Sequence, residues 1–285
     1  MAGTSMKDIR LRIKSVQSTM QITKAMQLVA SSKLRKARER MENSQPYLEI
    51  ARGVVEDIAQ HNTGCQSDYL TGRKIQTRCI IAVAGDRGLA GSYNANIFKC
   101  IQEQADENTC YLPIGRKATE HFANVESKKC LPFGLEKADG VTVEDCRLIA
   151  RELVKRFDAG EIDCIDLAYT HFVSILTQES RILRLLPVRC SEEKAHPTRQ
   201  MIFEPSCEEL LQSAIPDYIA GMIYAAVCDS VASEQAARRV AMDSATKNAN
   251  EMIDQLNLRY NRARQASITQ ELTEIVAGSD GNAFQ

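Results

Sequence analysis

Between Gly221 and Gly278 lie 56 residues without a glycine or a proline. At 1.5 Å of rise per residue, an unbroken helix over that stretch is about 84 Å long. A compact chain of 285 residues has a radius of gyration of about 19 Å and is roughly 50 Å across. Such a helix cannot be contained in such a globule, so it projects from one. The start of the chain offers it a partner. From Gly3 to Pro46 there is again no Gly or Pro, and Lys, Arg, Met, Leu, Gln and Ala, all strong helix formers, dominate. A second helix of about 60 Å is predicted there.

Apolar positions in both segments step by three and four. In the first, Ile9, Ile13, Val16 and Met20 lead to polar Thr23 and Gln27, then to Ala30, Leu34, Ala37 and Met41. Ile22, Met26 and Val29 sit one place earlier, which predicts a local phase shift that carries an apolar seam across the polar gap. A 3.5-residue repeat of this kind is the mark of a coiled coil. In the second, Ala245, Ala249, Met252, Leu256, Tyr260 and Ala263 form the expected seam, with Ile268, Leu272 and Ile275 continuing it. Its many alanines allow close packing into a thin rod. Taken alone, the N-terminal segment also fits a core helix or a transit peptide; the long C-terminal helix argues against both.

Charge is distributed unevenly. The net charge is −1, yet residues 7–40 carry ten Lys/Arg against Asp8 and Glu39, so that segment is +8 and the remainder −9. The run Lys33–Arg40 reads either as a solvated helix face or as an electrostatic contact for an acidic partner. DNA is a weaker alternative, because no Asn or aromatic reader is interleaved and the seam runs through the basic segment. Aromatics make up 5% and Trp is absent, against a stacking platform for single strands. The ten Cys contain no C-x-x-C, and the nearest pair, Cys100 and Cys110, is ten apart in sequence. Buried thiols fit better than zinc or redox chemistry. The four His (His61, His121, His171, His196) are too dispersed for a local metal box. The longest uncharged, apolar-rich stretch, Tyr218–Cys228, is far short of a membrane span of about 20 residues.

The middle reads as a small α/β layer domain. Arg78–Ala84, continuously apolar from Cys79 on, is expected to be a buried parallel strand. Further strands are predicted near 109–114, 162–172 and 181–188, and helices near 93–104, 116–123 and 143–157. Pro197–Pro216 reads as a connector. Gly85, Gly88 and Gly91 form a G-x-x-G-x-x-G turn. This matches neither the dinucleotide fingerprint nor a Walker loop, and no Lys follows. A structural turn is favoured there over nucleotide binding. Residues 257–275 carry hydrogen-bonding side chains nearly all round the helix, as in a helix that bridges domains or is surrounded by a partner.

Three stretches are specific. Ile9-Arg-Leu-Arg-Ile-Lys-Ser-Val-Gln-Ser-Thr with Gln21-Ile-Thr-Lys-Ala-Met and Lys33-Leu-Arg-Lys-Ala opens the chain. Ser233-Glu-Gln-Ala-Ala-Arg and Tyr260-Asn-Arg-Ala-Arg-Gln-Ala-Ser-Ile-Thr-Gln-Glu-Leu close it, and Gly85-Asp-Arg-Gly-Leu-Ala-Gly-Ser-Tyr-Asn lies between. Together they resemble the gamma-subunit family of the F-type ATP synthase over essentially the whole chain, although Ala90 stands where many members have Cys. The resemblance implies an antiparallel coiled coil of N- and C-terminal helices (1–60 and 207–280) and a central Rossmann-like α/β domain (75–200).

It further implies a rotor without catalytic residues or a cofactor of its own. One copy would turn inside a hexamer of alpha and beta subunits, coupling ion flow through the membrane c ring to ATP synthesis or hydrolysis. The epsilon subunit and the c ring are the implied partners at the foot; nucleic acid and a second copy are not. By position in the motifs, Arg264, Gln265, Thr269 and Glu271 are expected to contact the catalytic subunits. Met26 is expected beside the acidic loop of beta, with Lys24, Lys33, Arg35 and Lys36 as its electrostatic contacts. Met201, Phe203 and Glu204 are expected at the foot. Nothing resembles the inserted regulatory Cys pair of chloroplast members, so no thiol switch is expected. The absence of a separate presequence favours the cytoplasmic face of a bacterial plasma membrane.

Overall fold

The computed structural model describes residues 6–60, 67–123, 130–188 and 206–282. Helix α1 spans Met6–Gln60 and helix α6 spans Cys207–Asn282. Between them lie α2 (Asp68–Thr71), β1 (Arg78–Val83), α3 (Tyr93–Gln102), β2 (Thr109–Ile114), α4 (Arg116–Phe122), α5 (Val143–Asp158), β3 (Cys164–Phe172) and β4 (Gln178–Leu186). The chain divides into two units, one taking its start through Val29 together with Arg239 onward, the other Ala30–Arg238.

In the Ala30–Arg238 unit the four strands are ordered β2-β1-β3-β4. β1 pairs in parallel with β2 (Cys79 opposite Cys110) and with β3 (Ile81 opposite Leu167). β4 returns antiparallel, with Phe172 opposite Gln178. A strand buried on both faces must be apolar throughout, and β1 supplies both layers by alternation. Cys79, Ile81 and Val83 face a core shared with α5, the end of α1 (Val55, Ile58) and the start of α6 (Ile215, Ile219, Ile223). Ile80 and Ala82 face a smaller core with Ile97 and Ile101 of α3 and Ala118 and Phe122 of α4. Cys79, Cys146 and Cys164 are buried, free thiols in or beside these layers. α5 opens on a capping box. Thr142 accepts from the Asp145 N–H, and the Asp145 carboxylate accepts from the Thr142 N–H, satisfying two donors that a helix start leaves orphaned.

Several boundaries differ from the sequence expectation. β4 begins at Gln178 rather than 181, because the short turn after Phe172 places Gln178 directly in register. It ends before Pro187, which has no N–H to give the ladder. Residues 207–216 are helix, not connector, and Pro216 lies inside α6. Leu211, Ile215, Ile219 and Ile223 repeat every four residues and are fully buried, and this packing outweighs the lost N–H of one proline. α6 also contains a window long and apolar enough to cross a membrane, although half of that window is buried inside the protein. Asp217 and Asp229 bound the uncharged stretch Tyr218–Cys228 within this helix.

In the other unit, α1 and α6 run antiparallel. The Thr23 and Thr246 hydroxyls are 2.8 Å apart, and Gln27 Nε2 donates to Asp243 Oδ1 at 2.9 Å. Partner numbers therefore fall on α6 as they rise on α1. The expected phase shift does not occur. Thr23 and Gln27 remain in the seam, while Ile22 and Val29 are 57% and 58% exposed. A polar position in a seam gives up some stability and fixes the register. Lys247, at 2.8 Å, and the Gln27 amide hold the Asp243 carboxyl below the usual carboxylate range. Further along α6, Ile253 rather than Met252 turns inward, and Leu256 is buried. Ile268, Leu272 and Ile275 do not continue the seam; they are exposed.

Candidate partner-contact surfaces

The glycine turn after β1 is closed by the chain itself. The Gly85 N–H donates to Asn94 Oδ1, and a side chain at Gly85 would meet the Glu234 carboxylate within 2.8 Å. Glu234 is buried and accepts from Arg238 Nη2 at 2.5 Å. Arg238 also donates to the carbonyls of Arg87 and Gly88. The Asp86 carboxylate accepts the N–H groups of Arg116, Ala138 and Asp139. The Gly85 N–H and, at the start of α4, the Arg116 N–H, donors a phosphate would use, are thus taken by the Asn94 amide oxygen and the Asp86 carboxylate. The turn is a joint between the sheet and α6, in keeping with the structural reading of its spacing.

The basic run on α1 is partly absorbed into its own unit. Leu34 and Ala37 pack on Ala232 and Ala236 of α6. Lys33 Nζ is 2.9 Å from Asp139 Oδ2, with both side chains half exposed. This hydrogen bond, with Arg40 and Arg87 adding, lowers the Asp139 pKa. Arg38 stacks over Phe172 and reaches Glu42. Arg35, Lys36 and Arg40 are exposed and have no ion pair among the described residues. Lys33, Lys36 and Arg40 rim a cavity of about 210 Å³ with Val141, Val227 and Val231 in its wall. The arrangement suits an acidic group that brings an apolar neighbour.

In the unit of paired helix ends, Lys24 is exposed and Met26 is half buried beside the seam. Leu11, Ile22 and Val29 are exposed. At 3.6 residues per turn they fall within about 20° of one another and far from the seam. On α6, Arg264, Gln265, Thr269 and Glu271 are all exposed, and the Thr269 hydroxyl is tied back to the Gln265 carbonyl at 2.9 Å. Arg264 and Glu271 project on one side, about 20° apart, and Gln265 and Thr269 on another, about 40° apart. Between these pairs runs the stripe Ile268, Leu272 and Ile275, 48%, 58% and 67% exposed. Reading these apolar residues as seam missed this stripe. The signal that identifies it is the offset, since a three-or-four step from Ala263 reaches Ser267, which is half buried, and not Ile268.

The ATP synthase family model matches residues 5–281. The chain belongs to the gamma-chain family of ATP synthase. Among family relatives, the ATP synthase gamma chain of Ruminococcus albus is 48% identical over 282 residues, covering 96% of this chain and 98% of that protein. A gamma chain of Acetobacterium woodii, described as sodium ion specific, is 39% identical, covering 97% and 98%. The fold is similar to a chain of the Euglena gracilis mitochondrial ATP synthase rotor, with TM-score 0.70, 17% identity, and 94% of this chain and 100% of that one covered. Family membership makes this a gamma subunit of ATP synthase, a membrane-associated complex. Of the expected contact residues, Lys24, Met26, Arg264, Gln265, Thr269 and Glu271 lie in the unit of paired helix ends, and Lys33, Arg35 and Lys36 in the other. Met201, Phe203 and Glu204 lie outside the described residues.

Proposed function

We propose that this chain is the rotating shaft of an F-type ATP synthase, coupling ion flow through the c ring to ATP synthesis or hydrolysis in the alpha/beta hexamer. The observation that carries the reading is the surface of the paired helix ends. Beyond a narrow seam, α6 from residue 257 to 275 exposes polar side chains on two sides and an apolar stripe between them. A surface of this kind suits an enclosing sleeve that must grip and release. It works as one copy per complex and supplies no catalytic residue. Alpha and beta meet the helix ends; epsilon and the c ring meet the foot, where Met201, Phe203 and Glu204 belong. The complex sits at the cytoplasmic face of a bacterial plasma membrane, with this subunit peripheral to it.

Torque then passes through a few exchangeable contacts. The seam, pinned by Thr23–Thr246 and Gln27–Asp243, resists slippage of one helix along the other. Lys24, Arg35 and Lys36 offer charge to the acidic loop of beta beside Met26, and Lys33 can exchange Asp139 for the same partner. A marker fixed to Leu176, the exposed hairpin tip, should turn in one direction when the assembled hexamer hydrolyses ATP. A marker that stays still while ATP is consumed at the normal rate refutes the shaft reading.

The electrostatic contacts have their own test. Exposed pairs contribute about 0.2–1 kcal/mol each, so Lys36→Gln alone should leave coupling nearly intact. Neutralising Lys33, Arg35 and Lys36 together should lower ion pumping per ATP hydrolysed in membrane vesicles. Unchanged coupling in the triple variant rejects the electrostatic role and leaves rotation untouched.

A further inference from the structure

A cavity of about 310 Å³ lies where β4 meets α1 and α6, away from the glycine turn and the basic run. Its wall includes Arg52, Glu56, Arg78, Asp166, Arg184 and Tyr218. Asp166 is 1% exposed and is shared by two guanidinium groups. Arg78 Nε donates to one oxygen and Arg184 Nε to the other. The remaining Arg78 nitrogens serve Gln104, through its carbonyl at 2.7 Å and its side-chain oxygen at 3.4 Å. Arg52 Nε donates to Glu56 at 2.6 Å.

The charges in this wall do not balance. Three guanidinium groups face two carboxylates, leaving one positive charge. It is not a freely hydrated charge, because the Arg78 and Arg184 side chains are only 16% and 17% exposed. A largely buried charge without a counter-ion is costly, and planar guanidinium forks match oxyanions in geometry. Arg184 Nη1 and the terminal nitrogens of Arg52 have no acceptor among the described residues. The Tyr218 hydroxyl stays protonated, since burial first of all raises its pKa, and can add a neutral donor.

We propose that this cavity binds a small phosphate-class oxyanion, held by the free guanidinium nitrogens of Arg184 and Arg52, with Asp166 as the internal carboxylate that sets the guanidiniums in place. Free phosphate and the phosphate end of a nucleotide share this chemistry. The site is independent of the shaft reading, since none of its residues belongs to the contact surfaces above.

The test is calorimetric titration of the full chain with inorganic phosphate and, separately, with ADP, at constant ionic strength. Saturable one-site binding of at least one of them is expected. Phosphate alone identifies the free ion as the source, and ADP alone the nucleotide. Arg184→Gln should weaken binding about tenfold, the loss of a charge-assisted hydrogen bond. Arg52→Gln, at an exposed position, should weaken it about threefold. If Arg184→Gln fails to fold, exposed Arg52→Gln still decides. No saturable binding of either anion overturns the proposal, as does equal affinity in Arg52→Gln and the unaltered chain.

Discussion

Replacing Arg238 by Met should lower the unfolding free energy by about 3–5 kcal/mol, the usual cost of stripping one partner from a buried ion pair. Glu234 remains enclosed against Gly85 and close to Asp86, with only the Arg87 N–H left to offset its charge. Two carbonyls, of Arg87 and Gly88, lose a donor at the same time. The loss should depend on pH. Burial already pushes the Glu234 carboxyl above its ordinary value of 4.5, outweighing the attraction of Arg238. The folded state therefore holds the proton more readily than the unfolded state, and Glu234 costs stability as pH rises through its raised pKa. Removing Arg238 raises that pKa further, so the destabilisation should be greater at pH 8 than at pH 5. Urea unfolding at the two values measures it. Adding Glu234→Gln to Arg238→Met should remove the pH-dependent part and leave that of the lost carbonyl bonds. An equal loss at both pH values would mean that packing, not charge, is what Arg238 supplies.

That pair also marks where reading the sequence stops. Local features were legible in it, because burial on both faces demands an unbroken apolar run and β1 has one, and because long stretches without Gly or Pro demand helix. The spacing of the glycine turn excluded a dinucleotide fingerprint, yet nothing local says that Glu234, 149 residues onward, fills it. The ion pair of Lys33 with Asp139 spans 106 residues and is equally invisible, so a charge counted as available for partners proves to be engaged at home. The seam was misread for a different reason. Counting only apolar residues as seam residues favoured Ile22 and Val29 over Thr23 and Gln27, whereas two polar positions facing polar partners keep the phase as well as two apolar ones. Once Thr23 and Gln27 are returned to the seam, Leu11, Ile22 and Val29 become outward apolar residues, spaced by 11 and 7, which a lone helix pair has no reason to carry.

The same reasoning on α6 yields the second large effect. Ile268→Glu combined with Leu272→Glu should abolish stable assembly with the catalytic hexamer while leaving the chain itself folded. Both positions are exposed on a helix, Glu is a good helix former, and the seam at Ala263 and Ser267 is untouched. The chain's own urea midpoint should therefore shift by no more than surface substitutions usually cause, about 0.5 kcal/mol. Inside an enclosing sleeve the outcome reverses. Each apolar side chain covered there contributes about 1.5–3 kcal/mol, and a carboxylate in its place must be desolvated without a partner. Losing two such contacts corresponds to at least a hundredfold weaker association, read as loss of the hexamer-sized particle when alpha and beta are purified with the variant. Gln265→Ala with Thr269→Ala, on the neighbouring polar side, should retain the particle, because exposed polar contacts release little energy on exchange. A hexamer that forms normally with both carboxylates in the stripe, and couples normally, would show that nothing surrounds this end of α6, and the shaft reading would lose the observation that carries it.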